Sequence, residues 1–162
     1  MQKRGRHLVP LWKIGVISDT HGLLCSQAKE VLQGCDLIIH AGDIDNPSLL
    51  GELKRIAPTT AVRGNMDGGS WANSLRIIER VQVGDWSMVV IHKVDDLPSL
   101  DEDTDIVIFG HSHKFLQETR DGILFLNPGS AGPRRFFLPM SMAILSLGET
   151  VTVEQVILAS KA

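Results

Sequence analysis

The sequence predicts an α/β domain built from two packed sheets, with helices outside at least one of them. Three observations carry this. The first part of the chain alternates β-rich runs with amphipathic helical runs. The second part places two-residue turn signals between β-rich runs. Polar residues of metal-ligating type stand directly after the hydrophobic runs.

Residues 13–18 (KIGVIS) form a β-rich run that stops at Asp19-Thr20-His21-Gly22. Residues 26–32 space Ala28, Val31 and Leu32 on one helical face, with Gly34 as the expected C-cap. Residues 36–40 (DLIIH) read as a second strand ending at Ala41-Gly42-Asp43. Residues 47–56 read as a helix with Asn46 as N-cap and Pro47 in the first turn. Leu49, Leu50, Leu53 and Ile56 face inward. Pro58 ends that helix, and residues 59–63 form a third strand running into Gly64-Asn65-Met66-Asp67. The β-α-β-α-β order argues a parallel sheet with crossover helices. Ligands bind at the carboxyl ends of such strands.

After Trp71 the texture changes. Residues 75–83 and 86–92 flank Gly84-Asp85, residues 115–119 and 123–126 flank Asp121-Gly122, and residues 140–147 and 151–158 flank Gly148-Glu149. Each reads as a hairpin, so the second half is expected to be mostly antiparallel. Residues 95–105 are acidic and read as a solvated loop with a short helix. Residues 105–110 form a strand that ends in Gly110-His111-Ser112-His113.

A chain of 162 residues with 43% hydrophobic and 22% charged residues suits one globular domain with a sizeable core. A net charge of −3 argues against long nucleic acid as a partner, and no apolar run is long enough to span a bilayer. Cys25 and Cys35 form no CxxC and read as reduced thiols, which suits the cytoplasm. Residues 1–12 carry Lys3, Arg4, Arg6 and His7 but no apolar core of a signal peptide, because Lys13 and Asp19 come too soon. They are expected to form a basic, mobile extension before a single domain over 13–162. Phe136, Phe137 and Leu138 suit either core or a contact between copies in a homo-oligomer, with core expected.

Taken singly, each polar strand end has an ordinary explanation. Asp19-x-His21, Gly42-Asp43 and Gly64-Asn65 are turn signals, and a lone His92 suits a hydrogen-bonded core. Jointly, Asp19, His21, Asp43, Asn65, His92, His111 and His113 put seven donors just past hydrophobic runs. Imidazoles mixed with carboxylate and amide oxygens suit Mn²⁺, Ni²⁺, Fe²⁺ or Zn²⁺, and neither Ca²⁺ nor a thiolate cluster. Seven donors exceed one tetrahedral structural zinc. They fit two ions sharing a carboxylate, roughly 3.5–4 Å apart.

The order D-x-H, G-D, G-N-x-D, H, G-H-x-H resembles the calcineurin-like metallophosphoesterase superfamily. It is most similar to the short prokaryotic phosphodiesterase branch, related to the retromer's metallophosphoesterase-fold subunit. The resemblance covers Lys13 to about Ile157. It implies a four-layer α/β/β/α sandwich of two mixed sheets flanked by helices. It also implies a site in which Asp19, His21, Asp43 and His113 hold one divalent ion. Asp43 would bridge to a second, completed by Asn65, His92 and His111. Asn127 to Ser130 (NPGS) resembles a loop of the same branch.

The implied activity is hydrolysis of small phosphodiesters by a metal-bridging hydroxide, with Mn²⁺ the leading metal. Asp43, Asn65 and Asp67 are its catalytic candidates, and Asn65, Lys93 and Arg134 its candidate substrate contacts. Two departures matter. Met66 replaces the His that helps relatives protonate the leaving group, and thioether sulfur cannot do this. Lys93 follows His92 where relatives usually carry Gly. The competing expectations are a non-catalytic scaffold for protein interaction and a phosphomonoesterase. Retention of all seven donors opposes the scaffold, and Met66 opposes the phosphomonoesterase.

Overall fold

A computed structural model describes residues 11–133 and 137–158. The first ten residues of the expected basic extension, and Arg134, Arg135 and Phe136, lie outside the described residues. Trp12, assigned above to the extension, instead opens the first strand opposite Leu147.

The described elements follow in the order β1 (Trp12–Ile17), α1 (Ser26–Leu32), β2 (Leu37–His40), α2 (Pro47–Ile56), β3 (Thr59–Ala61), β4 (Ile78–Val83), β5 (Trp86–Ile91), β6 (Ile106–Ile108), β7 (Phe115–Arg120), β8 (Ile123–Pro128), β9 (Met140–Leu147) and β10 (Val151–Leu158). Short 3-10 turns occupy Ser70–Ser74 and Val94–Asp96. No helix among the described residues is long and apolar enough to cross a membrane. The strands form two five-stranded sheets, ordered β10-β9-β1-β2-β3 and β4-β5-β6-β8-β7.

Local chemistry sets the helix ends. Asn46 Oδ1 accepts from the Ser48 N–H at 3.0 Å, and Pro47 begins α2 without an N–H to satisfy. The seven-residue α1 has no side-chain cap at Cys25, so packing of Ala28 and Leu32 must hold it. Gln33 ends α1 in right-handed conformation, so Gly34 is not the left-handed cap expected.

The three expected hairpins are present as antiparallel pairs β4–β5, β7–β8 and β9–β10. The expectation of a mostly antiparallel second half is corrected at its centre: β6 runs parallel to both β5 and β8. Moreover β9 joins the first sheet, antiparallel to β1. Each sheet is therefore mixed: the first is parallel across β1, β2 and β3 and antiparallel across β9 and β10, and the second is parallel at its centre. The carboxyl ends of β1, β2 and β3 share one edge of the first sheet, and those of β5, β6 and β8 share one edge of the second.

Between the sheets, Ile14, Val16 and Ile39 pack with Trp86, Met88, Val90, Ile106 and Ile108 in the main core. The Trp86 indole N–H donates to the Gly148 carbonyl at 3.0 Å, which satisfies its polar atom inside that core. Both helices cover the outer face of the first sheet, where Ala28, Leu32, Leu49 and Leu53 meet Ile17, Ile38 and Ile144. On the outer face of the second sheet, Val107, Phe109 and Phe125 are covered by Val94, Leu97 and Leu100. The fourth layer is thus a connection with one 3-10 turn. Trp71 packs into the helix-side cluster. Phe137, expected in the core, is 93% exposed.

Candidate metal centre

Left-handed backbone concentrates at the strand ends. Asp19, His21, Asp43, Asp45, His111 and His113 all have positive φ, between 47° and 75°. Asp121, in a hairpin turn, is the one other such non-glycine residue among those described. Such conformations cost free energy and persist where surrounding structure imposes them. Here the turns reverse the chain immediately after β1, β2 and β6, aiming carboxylates and imidazoles into one space.

Two glycines make this space. A Cβ on Gly64 would collide with the Asp43 N and Oδ1, and one on Gly110 with Ser18 Oγ. Side chains at either position would push these loops apart.

Two trios result: Asp19, His21 and His113, and Asp43, His92 and His111. In each, one ligating atom per residue lies within 4.8 Å of the others. His92 Nε2 links the groups, 3.2 Å from Asp43 Oδ2 and 3.8 Å from Asp19 Oδ1. His113 Nε2 lies 3.3 Å from Asp19 Oδ1 and 3.4 Å from His21 Nε2. Asn65 Oδ1 stands 3.1 Å from His111 Nδ1, beside the second trio. All seven expected donors are therefore brought together. Lys93 lies at the rim, and Arg134 is outside the described residues.

The inventory of satisfied atoms bears on whether metal ions fit. Asp19 Oδ1, His92 Nε2 and His113 Nδ1 are buried without a hydrogen-bond partner, a state that is costly and uncommon. The other ring nitrogens define tautomers. His92 Nδ1 lies 2.7 Å from the Ala41 carbonyl, which only accepts, so Nδ1 carries a hydrogen and the neutral ring presents its lone pair at Nε2. His21 Nδ1 likewise faces the Asp45 carboxylate at 2.7 Å. That is the outer carboxylate–imidazole arrangement typical of metal-ligating histidines. Paired carboxylates, imidazole lone pairs aimed inward and orphaned buried polar atoms fit divalent cations.

The electrostatics point the same way. Burial pushes the Asp19 carboxyl up, but the His113 contact, the Ser18 hydrogen bond and, with the rings protonated in the metal-free protein, the charges of His92 and His113 outweigh it and hold the pKa below 3.8. Burial likewise opposes ionisation of Asp43, yet the His92 contact and the Met66 N–H bring it below 3.8. The site is built to keep both carboxylates ionised, as ligation requires.

Asp67 corrects an expectation. It was expected among the catalytic groups, but its Oδ2 accepts from the Asp43 and Gly64 N–H groups at 3.0 and 2.8 Å. Its Oδ1 accepts from Ile44 and Asp45 at 2.8 and 2.9 Å. A carboxylate offers about four acceptor positions, so none is left for substrate. Asp67 braces the loops that carry Asp43 and Asn65.

Several supporting roles escaped sequence reasoning, including that of the NPGS loop it had singled out. Asp45 orients His21. Asn127 Nδ2 donates to the Gly110 carbonyl and Ser112 Oγ, both at 3.1 Å, and Ser130 Oγ donates to the Asp19 carbonyl at 2.9 Å. The NPGS loop therefore ties the His111–His113 turn to the Asp19 turn. His40 is fully buried and accepts at Nδ1 from the Gly42 N–H, so its Nε2–H donates to Thr20 Oγ1 at 2.9 Å. It joins the loop of Asp19 and His21 to the loop of Asp43. The signal for Asp45 and His40 was their place one or two residues from expected ligands or at a strand end, but no sequence rule separates such a role from ligation.

Burial lowers His40 from its ordinary 6.5 to about 3. The unfolded chain binds this proton below pH 6.5, whereas the folded chain refuses it until about pH 3. Between those values stability falls as pH falls, by about 1.4 kcal/mol per unit, and above 6.5 the group contributes nothing to the slope. Denaturant unfolding of metal-free protein across that window is expected to be shallower in pH for His40→Gln than for wild type. Identical slopes would assign the proton elsewhere.

The chain matches the model of the calcineurin-like phosphoesterase superfamily domain over residues 12–150. It is 35% identical over 157 residues to a probable metallophosphoesterase of Methanothermobacter thermautotrophicus, covering 87% of this chain and 90% of that protein. It is 29% identical over 137 residues to a phosphodiesterase of Methanocaldococcus jannaschii, covering 72% of this chain and 82% of that one. Among solved structures, Vps29 of Entamoeba histolytica complexed with Zn²⁺ superposes with a TM-score of 0.71 at 22% identity, over 90% of this chain and 98% of its own. That likeness is one of fold. The family match spans β1 through the turn before β10 and takes in all seven strand-end donors. The chain belongs to the calcineurin-like phosphoesterase superfamily.

Proposed function

We propose that the protein is a phosphodiesterase acting on small diesters with two divalent ions, Mn²⁺ foremost, and with Asp43 shared between them. The observation that carries this reading is the pair of ligand trios joined through His92 Nε2, which lies within 4 Å of a carboxylate oxygen from each. Bound there, two divalent ions supply Lewis acidity toward phosphate oxygens and acidify a water to near-neutral pKa. The chain's own residues do the rest. His21 and His92 are held in the tautomer that presents Nε2, by Asp45 and the Ala41 carbonyl. The Met66 N–H fixes Asp43 Oδ1 at 2.8 Å, which leaves Oδ2 directed at His92. Asn65 stands at the open side of the second trio, where its amide can meet a phosphate oxygen.

Met66 shapes the specificity. Its side chain is 59% exposed beside Asn65, and it has no proton to give a departing alkoxide. General-acid assistance contributes typically about 10²–10⁴-fold. Rates should therefore depend steeply on leaving-group acidity, and aryl esters should outrun alkyl esters by about that factor. The test is a screen of mono- and diesters on metal-free protein reloaded with Mn²⁺, Ni²⁺, Fe²⁺ and Zn²⁺ in turn. Diesters hydrolysed ahead of monoesters, with a steep leaving-group dependence, are expected. A flat dependence would require an unidentified acid. Inactivity with every metal would return the protein to the scaffold reading.

A further inference from the structure

A cleft of ≈ 200 Å³ opens beside the second trio, with Asn65 and His92 in its wall. Ile77 gives it an apolar wall, and Ile91 lies beneath at 1% exposure. Ile77 is 55% exposed, although the bulk of large aliphatic side chains on this chain are buried in three clusters. An exposed isoleucine facing a cleft that adjoins the reactive groups is better placed for a ligand than for the fold.

The charges in this cleft are unbalanced. Arg63 and Lys93 supply two cations and Asp96 one carboxylate. Arg63 is engaged with neutral acceptors, through Nε to the Asp67 carbonyl at 3.2 Å and Nη1 to Asn73 Oδ1 at 3.3 Å. The Lys93 ammonium makes no ion pair or hydrogen bond with the described residues. Its backbone is extended, at φ −104° and ψ 113°, so a side chain is accommodated without strain next to His92.

We propose that this cleft is the subsite for one alcohol of the diester, and that it selects an aromatic alcohol bearing its own anionic group. This rests on the phosphodiesterase reading above. With phosphate held at the strand-end site, the ring lies against Ile77 and its anion meets Lys93. Lys93 is then a specificity-determining residue that acts away from the phosphorus.

Two probes of closely similar phenol acidity test this: methyl 3-carboxyphenyl phosphate and methyl phenyl phosphate. The ratio of their kcat/KM values should favour the carboxylated ester by about fivefold, the scale of a partly exposed ion pair, and fall to near one in Lys93→Ala. Separately, methyl NMR signals of Ile77 and Ile91 in zinc-loaded protein should shift on titration with 3-carboxyphenyl methylphosphonate and shift less in Lys93→Ala. Hydrolysis with a ratio insensitive to Lys93→Ala and unmoved isoleucine signals would overturn the subsite while sparing the phosphodiesterase. Shifts without hydrolysis of any ester would sink the phosphodiesterase, and with it the cleft's role as an alcohol subsite, leaving only a binding cleft for an anionic aromatic group. Neither shifts nor hydrolysis would overturn both.

Discussion

Asp43→Asn should lower phosphodiester hydrolysis by at least about 10³-fold, about 4 kcal/mol in the barrier, and reduce metal content from two ions per chain to one or none. The argument starts from the backbone. Asp43 has φ 59°, a conformation that Asn tolerates and Ala does not. The Asn amide oxygen can still accept the Met66 N–H, so the loop keeps its shape. What is lost is the charge beside His92 Nε2, which lies 3.2 Å from Asp43 Oδ2. A neutral amide cannot hold two dications as a shared carboxylate does. Asp43→Ala should lose the ions as well, with an added folding cost from the left-handed backbone. Metal analysis after dialysis, with unfolding curves for both variants, separates the two effects. Two ions retained by a folded Asp43→Asn would show that Asp43 does not bridge.

Much of this site was legible because chemistry and topology repeat each other. A hydrophobic run that stops at Asp19-Thr20-His21 or Ala41-Gly42-Asp43 announces both a strand and what stands at its end. Asn46-Pro47 likewise announces a helix start, and that cap is present. The pairing of His113 with Asp19 and His21, and of His111 with His92 and Asn65, was implied by the family resemblance, and alternation accounts for the two imidazoles parting company. Side chains separated by one residue in a tight turn reach different neighbours.

Other features were illegible for physical reasons. Strand direction in the second sheet depends on connections such as residues 92–105, whose length permits either sense. Its parallel centre decides that His92, the His111–His113 turn and Asn127 leave from one edge. The environment of Phe137 depends on which face of its loop meets the core, and no periodicity encodes that. The role of Asp67 depends on four amide hydrogens contributed by Asp43, Ile44, Asp45 and Gly64, three of them more than twenty residues away in sequence.

That set of four bonds makes Asp67→Asn a damaging isosteric change. The amide keeps one oxygen and turns the other acceptor into an NH₂ donor. Whichever way the amide is placed, two backbone N–H groups then face a donor. Asp67 is 4% exposed, so water cannot readily replace the lost acceptor. Leaving a buried donor unsatisfied costs about 1–3 kcal/mol, so two cost about 2–6 kcal/mol. For a domain of this size, at about 3 °C per kcal/mol, that lowers Tm by about 6–18 °C. The damage should extend to the site, because the same bonds fix the loop of Asp43 and of Asp45, which orients His21. Loss of such outer support typically weakens metal binding about 10–100-fold. Thermal unfolding of the metal-free variant measures the first effect. Metal titration well below its Tm measures the second. A reacting group would give the opposite pattern, with Tm and metal affinity near wild type and kcat alone reduced.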